Sequence, residues 1–161
     1  MTTLTRLLAF LDANGVPYTH TTHSPTYTAR EVADAEGLPA HRVAKTVVFA
    51  DQRGYALAVL PGDEDVDLAA LRDAAGSQFV RLAREREIAD LFLDARDVGA
   101  EPPFGNGTLF ELPVYVDADL AAEDPIALNA GTHHDVVRMR YADFARLVKP
   151  VVLHFSRMST S

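Results

Sequence analysis

Leucines at positions 4, 7, 8 and 11 recur at the i, i+3, i+4, i+7 spacing that places one apolar stripe along a helix, and Asn14-Gly15 supplies its stop. A short strand is expected from Val16 to Thr21. After the turn at His23-Ser24-Pro25, Thr28-Ala29-Arg30-Glu31 has the form of a capping box, with a threonine oxygen for an orphan N–H and a glutamate reaching back, and Gly37 ends the helix it opens. Val43–Ala50 and Tyr55–Leu60 alternate as strands, and the short polar connection Asp51-Gln52-Arg53-Gly54 predicts an antiparallel hairpin. Asp67 can cap a helix carrying Leu68 and Leu71, closed by Gly76; Gln78–Leu82 reads as a short strand, and Arg84–Phe92 as a helix with Ile88, Leu91 and Phe92 inward. Strands near Val114–Val116, Ile126–Asn129 and Val136–Met139 follow, then a helix over Tyr141–Val148 and a strand over Val151–Phe155. Strands and helices mix without β-α-β alternation, which predicts an α+β fold on a mixed, curved sheet rather than a doubly wound one.

Composition narrows the class. The 161 residues suit one domain, residues 1–161, and 48% hydrophobic content supports a real core. The absence of cysteine removes disulfides, thiolate zinc sites and cysteine nucleophiles. The apolar run Leu4–Leu11 is too short to span a bilayer, so a soluble, cytoplasmic protein is expected. A net charge of −8 argues against a general nucleic-acid coat, since such binding draws on many phosphate contacts, but it permits contact with one end of an RNA through a few local cations.

Three stretches carry candidate chemistry. In Val43-Ala44-Lys45-Thr46-Val47-Val48-Phe49, Lys45 shares a strand face with Val43, Val47 and Phe49. An ammonium on such a face costs several kcal/mol unless an anionic group meets it, and the run holds no acid. Either the strand lies at an edge and Lys45 snorkels to water, or its partner comes from elsewhere in the fold or from a ligand. Gly99-Ala100-Glu101-Pro102-Pro103-Phe104-Gly105-Asn106-Gly107 is stiffened by two prolines and bared by three glycines, so it is either a rigid connection or a shaped loop whose main chain a ligand can approach. Asn129-Ala130-Gly131-Thr132-His133-His134-Asp135 reads as a hairpin turn with polar groups at the end of an apolar strand; His133 is a candidate to line a pocket, as is His23 before its own turn. No ligand spacing for a metal is present, and Asp63-Glu64-Asp65-Val66-Asp67 reads as a solvated lead-in to a helix rather than a calcium loop.

Taken in order, G-V-P-Y, H-S-P-T-Y-T, V-A-K-T-V-V-F, A-V-L-P-G-D, the G-x-x-x-P-P-F-G loop, V-Y-V-D and the N-A-G turn resemble the YbaK and prolyl-tRNA-synthetase-associated editing domain family, from about Leu4 to Phe155. The resemblance implies a barrel-like, curved sheet surrounded by helices. It also implies a metal- and cofactor-independent hydrolase that acts in trans on mischarged aminoacyl-tRNA, cutting the ester at the 3′-terminal adenosine, with a small amino acid on a proline-type tRNA as cargo. An aminoacyl-tRNA synthetase is a further candidate partner, with action alone or beside a synthetase left open, and neither membrane nor DNA is expected. Lys45 matches the family's lysine, Gly99 to Pro103 its G-x-x-x-P loop with Phe104 and Gly105 following, and Gly131 its small-residue turn flanked by Asn129 and His133. Tyr18, His23 and Thr26 fall in the pocket-lining N-terminal region. Thr46 stands where one alanine-editing branch has asparagine, and the Asn129–His134 turn departs from the Ser-Gly-Gly run of another, so the resemblance leaves the amino acid open. No G-x-S-x-G signature is present, and no acyl-enzyme is expected. A competing reading from another class is a module that binds a tRNA end or an aminoacyl ligand without turnover and regulates a synthetase.

Overall fold

The computed structural model describes residues 1–92 and 97–159. In chain order its elements are α1 (Thr3–Ala13), β1 (Tyr18–Thr22), α2 (Ala29–Glu36), a single 3-10 turn (Ala40–Arg42), β2 (Val43–Asp51), β3 (Gly54–Pro61), β4 (Glu64–Val66), α3 (Leu68–Ala75), β5 (Arg81–Leu82), α4 (Glu85–Leu91), β6 (Val114–Asp117), α5 (Ala118–Ala121), β7 (Ile126–Asn129), β8 (Asp135–Met139), α6 (Tyr141–Val148), β9 (Val151–Leu153) and β10 (Ser156–Met158). The local signals act where they are expected. Thr28 Oγ1 accepts from Glu31 N at 3.1 Å, Asp67 Oδ1 accepts from Ala70 N at 3.1 Å, and Gly37 and Gly76 end their helices in the left-handed region that glycine tolerates.

The main sheet runs β1-β8-β7-β2-β3-β6-β9, with β5 also paired to β2. It is mixed: β2–β3, β7–β8 and β1–β8 are antiparallel, whereas β2–β7, β3–β6 and β6–β9 are parallel. On one face, Leu7 and Leu11 of α1 and Phe144 and Val148 of α6 pack with Val48, Leu57, Val59 and Phe104. On the other, Leu71 of α3 and Phe155 cover Phe49, Ala58 and Leu60, while Val32 and Ala33 of α2 close over Val43, Ala127 and Val136. Each of these large side chains contributes about 1.5–3 kcal/mol by leaving water. Among the described residues no helix is long and apolar enough to cross a membrane.

Strands β4, β10 and β9 depart from the sequence reading, and β5 keeps only Arg81–Leu82 of the expected Gln78–Leu82. The acidic run 63–67 is not simply a solvated helix lead-in, because Glu64–Val66 form β4 and pair with β10, a strand absent from the alternation pattern. Glu64 is buried, and that burial, with Asp119 beside it, raises its carboxyl pKa. The expected strand Val151–Phe155 ends at Leu153, and Asp117 explains the break. Its buried carboxylate accepts through Oδ1 from Phe155 N at 2.8 Å and Ser156 N at 2.9 Å, and through Oδ2 from Ser156 Oγ at 2.8 Å. The chain therefore turns off β9 toward β4.

A second carboxylate sets the turn between β7 and β8. Asp135 Oδ1 accepts from Thr22 Oγ1 at 3.1 Å and lies 2.7 Å from His20 Nε2, while Oδ2 accepts from Thr132 Oγ1 at 2.6 Å. Thr132 Oγ1 in turn accepts from the amides of His134 and Asp135, each at 3.0 Å. Burial alone would raise the Asp135 pKa, but the bonds from Thr132, His20 and Thr22 outweigh it and hold the carboxyl below its ordinary value.

Removing the first carboxylate in Asp117→Ala strands the Phe155 amide in the core and is expected to cost about 3 kcal/mol or more, read as a lower urea midpoint at unchanged m-value. For Asp135 the folded pKa lies below the unfolded one, so its stabilisation is complete above the unfolded value and is lost as pH falls through the folded one. Asp135→Asn should lower stability at neutral pH and flatten the acid limb of a stability–pH curve; an unchanged acid limb would show that other groups control it.

Candidate active site

The site lies where the pairing of β2 divides. Toward β3 the ladder is continuous from Ala44↔Pro61 to Asp51↔Gly54. On the opposite side β7 pairs only with Val43 and Ala44, and β5 only with Phe49 and Ala50. Among the described residues no strand is laddered to that side between Ala44 and Phe49, and a cavity of about 440 Å³ opens beside Lys45 and Thr46. Its walls also include Asn129 at the end of β7, Gly99 of the proline loop, and Tyr27 and Arg30 at the start of α2. Gly62 brings the turn after β3 against α2: a Cβ there would lie 2.6 Å from Ala29 Cβ and 2.9 Å from Ala40 O, so only glycine allows this approach.

Lys45 is thus on an interior strand, not an edge one, and its partner comes from elsewhere in the fold. The side chain is 30% exposed, its Nζ donates to the Glu64 carbonyl of β4, and Asp65 Oδ1 stands 3.5 Å away. A backbone carbonyl and one half-exposed carboxylate satisfy the ammonium without enclosing it, which leaves it able to meet an anion entering the cavity. Thr46 lies beside it, and the buried Asn129 Oδ1 has no hydrogen-bond partner among the described residues.

The opposite wall is built by Gly99, whose φ of 93° requires glycine, and by the carboxylate behind it. Glu101 is 3% exposed and accepts the Gly99 N–H at 2.8 Å; burial raises its pKa, partly offset by that amide and by nearby His133. The Gly99 amide is therefore already committed, and the loop is held in shape by its own acid. His133 closes this side. Its amide donates to Asp97 Oδ2 at 2.8 Å, its Cε1 is 3.8 Å from the point where a Gly99 Cβ would sit, and its ring lies 4.9 Å from that of Tyr27.

Of the expected residues, the structure brings Lys45, Thr46, Gly99 and Asn129 to the cavity, with His133 packed behind its wall. Gly131 supports the turn from behind, donating its N–H to Ala100 O at 2.8 Å under the start of α1. Thr26 is buried and donates both its amide, at 2.8 Å, and its hydroxyl, at 3.1 Å, to His133 O. His23 bonds through Nε2 to Glu36, and Tyr18 donates to Asp12 Oδ1 at 2.8 Å; neither lines the cavity. Pro102, Pro103, Phe104 and Gly105, expected beside the ligand, are buried instead, and Phe104 packs edge-on against Phe10 and Phe144. Tyr27, Arg30, Asp65 and Glu101 were not singled out from the sequence. An aromatic immediately before the capping Thr28 was the available signal for Tyr27, because a cap residue fixes the direction of its neighbours.

Comparison with known proteins converges on one family. The chain is 27% identical over 147 residues to the prolyl-tRNA editing protein ProX of Acetoanaerobium sticklandii, covering 89% of this chain and 88% of that one. It is 29% identical over 157 residues to the multifunctional Ser/Thr-tRNA deacylase ProXp-y of Escherichia coli K12, covering 94% and 92%. Its fold superposes with a TM-score of 0.82 on the crystal structure of a candidate trans-editing enzyme for prolyl-tRNA synthetase, at 24% identity and 98% coverage of both chains. Residues 23–147 match the model of the aminoacyl-tRNA editing domain, and the chain belongs to that family.

Proposed function

We propose that the protein hydrolyses, in trans, the ester that joins a wrongly attached small amino acid to the 3′-terminal adenosine of a proline-type tRNA. Lys45 carries this reading: an ammonium on an interior strand, held by a carbonyl and one carboxylate at the lip of a cavity, in a chain of this family. A phosphate near the RNA end would pair with it more strongly than in water. Water adds to the ester carbonyl, the acyl–oxygen bond breaks, and the proton ends on the ribose oxygen, giving free amino acid and a tRNA with its hydroxyl restored. The substrate's own ribose hydroxyl positions the water. Thr46 and Asn129 supply polar groups along the cavity wall, while Glu101 fixes Gly99 so that wall keeps its shape. Selection is by size, as in a second sieve that admits only side chains small enough to enter. One named relative is a prolyl-tRNA editing protein and another a Ser/Thr-tRNA deacylase, so alanine, serine and threonine are the cargoes to compare.

The experiment is release of amino acid from a panel of mischarged tRNAs. Lys45→Ala should fold as the wild type does and lose about 100-fold or more in kcat/KM, with Lys45→Arg retaining part of the activity. An active Lys45→Ala variant would remove this lysine from the mechanism. Saturable tRNA binding by the wild type without release of any amino acid would favour the binding-module reading, which the committed Gly99 amide supports. Because the chain meets RNA through few cations, binding should weaken only shallowly as salt rises, and a steep dependence would contradict contact confined to the tRNA end.

A further inference from the structure

Two cavity residues with an aromatic or a cationic side chain remain unused by the chemistry above. Tyr27 is 69% exposed, an unusual state for a tyrosine in the wall of a cavity, and its ring rests against His133 at a tilt of 51°. Part of its π surface is thereby fixed in place while the remainder faces solvent at the mouth. Arg30, three residues on, is exposed in the first turn of α2, lines the same cavity, and pairs with no carboxylate among the described residues. The nearby acids are otherwise engaged, Asp63 with His41 Nδ1 at 2.8 Å and Asp65 with Lys45 at 3.5 Å. In a chain of net charge −8, a guanidinium with no carboxylate partner among the described residues, lining the same cavity as a held aromatic ring, is a local exception.

A flat ring with an open face and a planar cation three residues further on, lining one cavity, match the two halves of a nucleotide: a base to stack and a phosphate to bind. We infer that Tyr27 is the platform on which the terminal base of the RNA stacks, and that Arg30 holds the phosphate linking that nucleotide to the one before it. The inference rests on the function proposed above and adds to it. The cavity receives the ester and Lys45 meets phosphate from within it, while Tyr27 and Arg30 set the position of the nucleotide from the mouth, so the enzyme recognises a nucleotide end and not merely an aminoacyl ester. His133 then acts as a positioning residue, because its ring backs the tyrosine.

The test uses acceptor-stem RNAs bearing alanine through a non-hydrolysable amide, ending either in a normal adenosine or in a ribose without a base. Dissociation constants are measured for the full chain at two salt concentrations, alongside deacylation of the matching ester. Tyr27→Ala should weaken binding of the base-bearing RNA by about 10-fold, leave the base-free RNA unchanged, and raise KM rather than lower kcat, while Tyr27→Phe retains wild-type affinity. Arg30→Ala should weaken both RNAs equally and make the salt slope shallower by about 0.7, the contribution of one phosphate contact on a single strand. Wild-type binding and hydrolysis that Tyr27→Ala leaves untouched, or weakens equally for both RNAs, would overturn this inference alone. A change in which amino acid is removed, without a change in base dependence, would also overturn it by assigning Tyr27 to the side-chain pocket. A wild type that neither binds the acceptor stem nor hydrolyses the ester would overturn both this inference and the proposed function.

Discussion

A β-strand has one edge on each side, and β2 uses its two edges differently. Along β3 it is bonded throughout, so its position is fixed by eight consecutive pairs. Along the other edge it changes neighbour from β7 to β5, and the interval between them is left without a ladder among the described residues. That interval contains Lys45 and Thr46. Because the continuous hairpin carries the stability, the other edge can open without unravelling the sheet, and a cavity can reach main chain that an ordinary sheet would hide. Several walls of the site are elements that begin or end at this opening: β7 at Asn129, the proline loop at Gly99, the start of α2 at Tyr27 to Arg30, and the turn after β3 at Gly62 and Asp63.

The charges follow from the same arrangement. Lys45 projects from the face that holds Phe49 and Leu60, where an unpaired ammonium would be costly, and β4 supplies the Glu64 carbonyl and the Asp65 carboxylate that satisfy it. On the far wall a buried acid does the converse service: Glu101 accepts the amide of Gly99 and so maintains a backbone conformation closed to other residues. One group is a cation restrained by carbonyl and carboxylate oxygen, the other a carboxyl restrained by an N–H. Each fixes a group on its side of the cavity through protein contacts alone, and preorganisation of this kind is what makes fixed dipoles effective.

What could be read from residues alone was local. Thr28, Asp67, Gly37 and Gly76 bounded their helices correctly, since a cap is a matter between neighbours in the chain. The β2–β3 hairpin was legible because alternation and a polar connection both lie within one short stretch. The β4–β10 pair was not, because each strand is three residues long, charged in part, and stabilised by a partner about ninety positions away. Lys45 could be seen to need a partner, but nothing in its own strand could identify a carbonyl of Glu64. The proline loop misled in one respect: Phe104 sits among glycines and prolines that suggest exposure, yet it fills the gap between Phe10 and Phe144. Thr26 drew attention where its neighbour Tyr27 held the exposed position, because which of two adjacent side chains faces a cavity depends on the turn formed by distant His133.

The pairing of β4 with β10 also gives the site a place in time. Residues 64–66, which restrain the lysine, find their strand partner only at Ser156–Met158, so a chain still on the ribosome and lacking that segment has β4, the strand that meets the lysine, without its own partner. A protein of the aminoacyl-tRNA editing family thus completes the surroundings of this cation only once residues about ninety positions further along the chain have been translated.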